Sequence, residues 1–306
     1  MWGTLQQNAP FNESLTMSDL PLEVLKKYLD KSINHMSAYG KHHLFKGNYY
    51  DLEEGLNSGT FVKLNTKIKI KYYMSLILQL LIFKNEIFSN DFIKVYKKIC
   101  FNQNRLFNYD LIIHSIVMKI LQEQKVLNGN ICTIGDGKAN FVHGLLHNTS
   151  VKKIFSVNLP QALIQDYLII KKYCSIDEKL IKVVEKEDDI NDKYKLFLIP
   201  AENKKYLSNI DINLFVNMFS FQEMPMTEVH EYINLAVTNN SFLYSLNREE
   251  KIMYDNTKIN YYEYGLREKG KIIFEREAKF QNYFYNATIP FIHKKNGKVI
   301  NTLVKF

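Results

Sequence analysis

The sequence predicts an α/β protein built on a doubly wound, mostly parallel sheet, closed by a terminal antiparallel hairpin and preceded by a helical region. Three observations carry this. Residues 1–125 show helical apolar spacing with no strand–helix alternation; after Asn128-Gly129-Asn130, short apolar runs alternate with helical stretches; near the end, two β-rich segments flank the turn at 293–298, HKKNGK. The 306 residues, 46% hydrophobic and 24% charged, have ordinary globular proportions, which excludes a disordered or collagen-like chain. At roughly 150 residues per domain this length suggests two units. We place them at 1–125, helical, and 126–306, the sheet.

The helical region opens at Pro21, where LEVLKKYL follows the cap candidates Ser18 and Asp19 with proline in the first turn. The segments 72–83 and 91–100 carry helical spacing, and DLIIHSIVMKILQEQKV (110–126) is the clearest helix. KLNTKIKIKYY (63–73) alternates Lys with apolar residues and fits strand or helix. Beyond the break, ICTIG (131–135) is a first strand, followed by a glycine turn and the helical FVHGLLHN. KKIFSVNLP (152–160) is a second, followed by the helix QALIQDYLIIKKY; YKLFLIP (194–200) is a weaker third. DINLFVNMFSF (211–221) is a fourth, with the helix TEVHEYINLAV after it, and SFLYSLN (241–247) a fifth. The hairpin expectation pairs FQNYFYNATIPFI with VINTLVKF.

Charge narrows the partners. The net charge is +8, but lysine supplies 36 of the 40 basic residues and the only arginines are Arg105, Arg248, Arg267 and Arg276. Sequence-specific nucleic-acid readers favour arginine, whose fork matches guanine and phosphate, so an anionic small molecule or sugar fits better than nucleic acid. The excess concentrates in residues 61–100, where eight lysines face Glu86 and Asp91. Cys100, Cys132 and Cys174 have no metal-ligand or redox spacing and read as thiols of a reducing compartment. There is no signal-peptide pattern, and the longest apolar run, 74–83, is about half a membrane span; the expectation is a cytoplasmic protein without a membrane span.

The candidate chemistry gathers at strand ends. Gly135-Asp136-Gly137 follows the first strand, where glycines let the backbone approach a ligand and the next helix offers its amides. A third glycine of the dinucleotide fingerprint is missing, which argues against NAD. Asn158 ends the second strand, the position of a ribose-binding group in such folds, and Asn217 to Pro225 (NMFSFQEMP) ends the fourth. An ordinary strand-to-helix turn and ordinary helix capping are the competing explanations.

In their order, the segments TIGDGKANF, NLPQAL and SFQEMP make the chain resemble the S-adenosylmethionine-dependent methyltransferases, and among them the sugar O-methyltransferases of bacterial glycan and natural-product gene clusters. The resemblance covers about residues 105–306. It implies a class I methyltransferase sheet and S-adenosylmethionine as cofactor, bound by Gly135, Asp136, Gly137, Asn158, Leu159 and Asn217. This sequence carries Asn158 where an aspartate is usual, and Asp136 and Asn140 where small residues are commoner. The implied reaction methylates a sugar hydroxyl, free, nucleotide-linked or in a surface glycan, with Glu223 as first choice of base and His143 and His230 in reserve. Ser220, Gln222, Asn247 and Arg248 would face the acceptor, the helical region 1–125 would cover the acceptor site, and a homo-oligomer is compatible with all of this. No metal site is evident: His143 and His147 have ligand spacing on one helix face but lack a third partner. The tyrosines Tyr254, Tyr261, Tyr262 and Tyr264 could line the acceptor or pack in the core. The alternative from another class is a non-catalytic protein of the same fold that serves as a partner subunit or ligand sensor.

Overall fold

The computed structural model describes residues 20–29, scattered positions between 70 and 81, and 83–306 apart from 104–106, 108, 175, 253–255, 286–291 and 295–296. Most of the lysine-rich 63–73 stretch and the cap of the first helix lie outside the described residues, as does most of the expected 72–83 helix.

Among the described residues, four continuous helices precede the sheet: α1 (Leu20–Leu29), α2 (Lys84–Phe88), α3 (Phe92–Asn102) and α4 (Tyr109–Glu123). The alternating part then runs β1 (Gly129–Ile134), α5 (Asn140–Leu146), β2 (Val151–Asn158), α6 (Pro160–Tyr173), β3 (Ile181–Val183), β4 (Leu196–Pro200), β5 (Leu214–Met218), α7 (Met226–Thr238) and β6 (Phe242–Arg248). Each long strand is an apolar run stopped by a turn residue or proline: Gly135 ends β1, Pro160 opens α6 directly after β2, and Pro225 precedes α7. Strand β3 went unread in the sequence because three residues are too few to show a period.

These strands form one sheet of eight, in the order β3-β4-β2-β1-β5-β6-β12-β9. Every neighbouring pair from β3 to β6 is parallel. The last strand, β12 (Val299–Lys305), runs antiparallel between β6 and β9 (Lys271–Glu277). The antiparallel end of the sheet is therefore present, but the pairing differs from the expected hairpin. β12 takes β9 as its outer partner, while β10 (Tyr283–Tyr285) and β11 (Ile292–Lys294) make a separate two-stranded ribbon. A second small ribbon joins β7 (Glu250–Ile252) to β8 (Lys258–Asn260), and a short helix, α8 (Leu266–Lys269), leads into β9. β9 reads KIIFERE; its charged, partly exposed face suits an edge strand and hid it in the sequence.

The strand alternation divides the core in two. On one face Ile131, Ile154, Leu196, Leu198, Leu214, Val216, Tyr244 and Leu246 meet α5 and α6 through Phe141, Val142, Leu163 and Tyr167. The helical region joins this same core: α1 packs on α6 and β3 through Val24, Leu25 and Tyr28, and α3 and α4 pack on α5. On the other face Cys132, Ile134, Phe155, Val157, Phe197, Phe215 and Leu243 meet α7 through Val229, Tyr232, Ile233 and Ala236. Helices thus leave β1 and β2 toward one face and β5 toward the other. That places the topological switch point between neighbours β1 and β5, where an open α/β sheet forms a crevice outside its strand ends.

Candidate functional site

Two turns build the rim of this crevice. The first follows β1. Gly135 has φ +70° and its N–H donates to Val157 O at 2.9 Å, tying the turn to the end of β2. A Cβ at Gly135 would stand 2.4 Å from Ser220 Cβ and 2.5 Å from Ser220 Oγ, so only glycine lets the two turns approach this closely. Gly137, at φ +30°, instead faces open space: nothing lies within 4 Å of the position its Cβ would take. Lys138 (φ +68°) and Ala139 (φ +51°) continue the left-handed backbone.

The second turn follows β5, where Phe219 takes φ +65°, a conformation uncommon for a bulky residue, and its N–H donates to Leu246 O at 2.8 Å. Ser220 Oγ donates to Ile134 O at 2.9 Å, and Asn217 Nδ2 donates to Ser220 Oγ and, at 3.2 Å, to Ile134 O. Asn217 and Asn247 are fully buried. Asn247 Nδ2 donates to Asn217 Oδ1 and Ser245 Oγ, both at 2.9 Å; Gln222 N donates to Asn247 Oδ1 at 3.3 Å, and Arg248 N to Gln222 Oε1 at 2.9 Å. One polar network therefore ties the ends of β1, β5 and β6 together. Buried amides hydrogen-bonded to one another hold a unique arrangement, because breaking any one leaves a desolvated partner.

The structure brings Gly135, Gly137, Asn217, Ser220, Gln222 and Asn247 to one mouth, with Asn217, Ser220, Gln222 and Asn247 spending hydrogen bonds on each other. Asp136 turns back into the protein: its Oδ1 and Oδ2 accept from Phe141 N at 2.9 Å and Val142 N at 2.8 Å. That carboxylate caps α5, so amides that the sequence reading left for a ligand are taken by the chain itself. Asn158, at the end of β2, accepts from Leu159 N at 2.9 Å through Oδ1, and its Nδ2 lies 3.4 Å from Asp166 Oδ2. Leu159 is the extended residue that opens α6.

Glu223 closes the turn after β5, partly buried, with Lys251 Nζ 3.0 Å from its Oε1. The Arg248 side chain is exposed and makes no ion pair among the described residues; its neighbours Glu249 and Glu250 engage Tyr262 and Lys258 instead. The two reserve histidines are not brought to Glu223. His143 is buried on α5, its Nδ1 3.0 Å from Gln103 Nε2 and its ring stacked on His147 at 5.6 Å. Burial and the nearby Lys98 charge lower the pKa of His147. His230 lies on α7, in the layer on the opposite face, where its Nε2 donates to Glu263 O at 3.1 Å. Among the described residues no three His, Cys, Asp or Glu side chains converge as metal ligands. Tyr261 and Tyr264 pack in the core against each other, and Tyr264 also packs against Phe221; only Tyr262 is exposed, and Tyr254 lies outside the described residues.

The sequence reading missed Asp166. This α6 residue is fully buried beneath the glycine turn, facing Asn158 and the backbone N–H groups of Lys138 and Ala139. Burial pushes its carboxyl up to about 7, against the opposing pull of those three donors. The signal was available: Asp166 lies three residues after Leu163 and four before Ile170, an acid on the apolar stripe of its helix.

Glycine turn, switch point, strand order and antiparallel end together decide the architecture. It is a doubly wound, mostly parallel α/β sheet with an antiparallel end, the fold that the class I methyltransferase resemblance implies. Solved structures of similar shape include N-methyltransferase NodS from Bradyrhizobium japonicum, with 10% identity over 64% of this chain and 96% of that one, at a TM-score of 0.43. Another is magnesium protoporphyrin IX methyltransferase (ChlM) from Synechocystis PCC 6803 with bound SAH, with 11% identity over 65% of this chain and 84% of that one, at a TM-score of 0.42. No protein-family model and no curated protein matches the sequence. No helix among the described residues is long and apolar enough to cross a membrane.

Proposed function

We propose that the protein is an S-adenosylmethionine-dependent O-methyltransferase whose acceptor is a sugar hydroxyl, carried by a nucleotide sugar or a surface glycan. The observation that carries the reading is the paired turn at the switch point. Gly135 is pressed against Ser220 while Gly137 opens onto free space, with Asn158 at the neighbouring strand end. This arrangement fits the cofactor: a close backbone approach, room above it, and the end of β2, carrying Asn158, where a ribose diol would lie. Gly135, Gly137, Asn158 and Leu159 would hold the cofactor, which supplies an electrophilic methyl group when bound.

The chain's own part is to position the acceptor and take its proton. A sugar hydroxyl is a poor nucleophile until a base accepts its hydrogen. Glu223 is the candidate: Lys251 fixes it through Oε1, leaving Oε2 without a hydrogen bond among the described residues to receive that proton. Arg248, exposed and without an ion pair among the described residues, is available to a phosphate or carboxylate of the acceptor, in line with an anionic substrate. His143 and His230 have other partners and are not assigned to the reaction.

Isothermal titration with S-adenosylhomocysteine tests the cofactor, and a mass-spectrometric screen of nucleotide sugars for a gain of one methyl tests the acceptor. Glu223→Gln is expected to keep cofactor affinity and lose most turnover, of the order of the 10²–10⁴-fold that a general base contributes. Wild-type turnover in that variant removes Glu223 as base; failure of millimolar cofactor to bind removes the reading.

A further inference from the structure

The methyltransferase reading leaves one buried ionisable group without a task. Asp166 sits on α6 with no exposed surface, its Oδ2 3.4 Å from Asn158 Nδ2, with the N–H groups of Lys138 and Ala139 facing the same carboxyl. Its Oδ1 has no hydrogen-bond partner among the described residues. A carboxyl so placed touches both walls of the crevice: the turn after β1 and the residue that ends β2.

Resting on the cofactor reading above, we propose that Asp166 is a positioning residue of the S-adenosylmethionine cleft, holding the glycine turn and Asn158 in fixed relation to each other. Lys138 and Ala139 have left-handed backbone, and their N–H groups face the Asp166 carboxyl. Asn158 spends Oδ1 on Leu159 N, which leaves Nδ2 to face Asp166 and fixes which way the amide points. Removing the carboxyl frees the amide to rotate and deprives the turn of its anchor. An aspartate at Asn158, by contrast, would set a second carboxylate against Asp166.

The device is graded by protonation. The charged carboxylate accepts from Asn158 Nδ2 and attracts the two backbone N–H groups that face it, and a hydrogen bond to a charged acceptor is about twice as strong as a neutral one. The groups that set its charge are Asn158 and the two backbone amides; no charged side chain contributes. With its pKa at about 7, the anchor strengthens as pH rises through neutrality, and cofactor affinity rises with it.

The experiment measures S-adenosylhomocysteine affinity by calorimetry from pH 5.5 to 8.5 for the wild type, Asp166→Asn and Asn158→Ala. The wild type is expected to tighten by about fivefold to tenfold across neutrality. Asp166→Asn should bind weakly, with no such dependence. Asn158→Ala, lacking one donor to the carboxylate, should move the transition to higher pH. A flat wild-type profile, or an Asp166→Asn profile that follows the wild type, overturns the proposal while leaving the cofactor reading intact. No binding by the wild type at any pH overturns both. Should Asp166→Asn fail to fold, the wild-type and Asn158→Ala profiles decide: a transition that does not move overturns the assignment to Asp166.

Discussion

Replacing Gly135 with alanine probes the contact on which the crevice depends. Two costs add. At φ +70° an L-residue loses about 1–2 kcal/mol relative to glycine. The new methyl would also lie 2.4 Å from Ser220 Cβ and 2.5 Å from its Oγ, so one turn must move. Overpacking of this kind costs about 1–3 kcal/mol. Ser220 cannot yield freely, since its Oγ is held between Ile134 O and Asn217 Nδ2. The expected loss is therefore about 2–5 kcal/mol, read as a shift of the denaturant midpoint at constant slope. A double-mutant cycle separates the parts: in a Ser220→Gly background the overlap is gone and only the backbone cost of about 1–2 kcal/mol remains, a coupling of about 1–3 kcal/mol. Equal losses in the two backgrounds, or a Gly135→Ala variant within about 0.5 kcal/mol of wild type, would refute the close approach as the reason for glycine.

Asp166 makes a prediction about stability that is separate from ligand affinity. Its carboxyl is raised from the unfolded value of about 3.9 to about 7, so the folded state keeps the proton longer. That contribution is fully present below pH ~4 and is lost as pH rises to about 7, amounting to about 4 kcal/mol at about 1.4 kcal/mol per unit. Asp166→Asn should therefore gain relative to wild type between pH 4.5 and 8 in guanidinium titrations; parallel curves would contradict the buried carboxyl. Asp136→Ala should cost about 1 kcal/mol, the worth of a helix cap, and a neutral result would mean that its bonds to Phe141 and Val142 hold nothing. The thiols should resist a disulfide reagent at pH 8 until guanidinium is added, because Cys100 and Cys132 are buried and burial pushes Cys174 up to about 12. Rapid labelling of any of the three in the native protein would overturn that.

The alternating half of the fold was legible because its strands are apolar runs of five or more residues bounded by glycine, asparagine or proline, and its helices start where those turns end. What escaped was short or mixed: IKV of β3 carries no period, and β9 interrupts its pattern with Glu275, Arg276 and Glu277 at an edge. The gathering of the glycine turn and the polar strand ends at the switch point was equally legible, since both are sequence features. The partners of its residues were not. Asn217 and Asn247, on strands 30 residues apart in the chain, read as ligand groups until register puts them side by side. Asp136 reads as a turn residue facing outward, whereas its carboxylate bends back over the first turn of α5. Sequence spacing fixes which residues arrive at a strand end but not the direction in which they point.

Phe219 bears on how the crevice meets a ligand. Glycine would relax its left-handed backbone, yet the phenyl ring packs against the core on the α5–α6 face, and the strain is offset by that burial. The turn after β5 is thereby tethered at a point of its own strain, with its N–H already bonded to β6 and Ser220 already bonded to β1. A molecule entering between β1 and β5 meets a wall already ordered, so its binding should show the modest entropy cost and small structural change of a preformed pocket. Adaptation would fall to the side chains at the rim, Arg248 and Glu223 among them. Under the proposed function, specificity for the acceptor would change through those rim residues while the hold on the cofactor half of the site stays as it is.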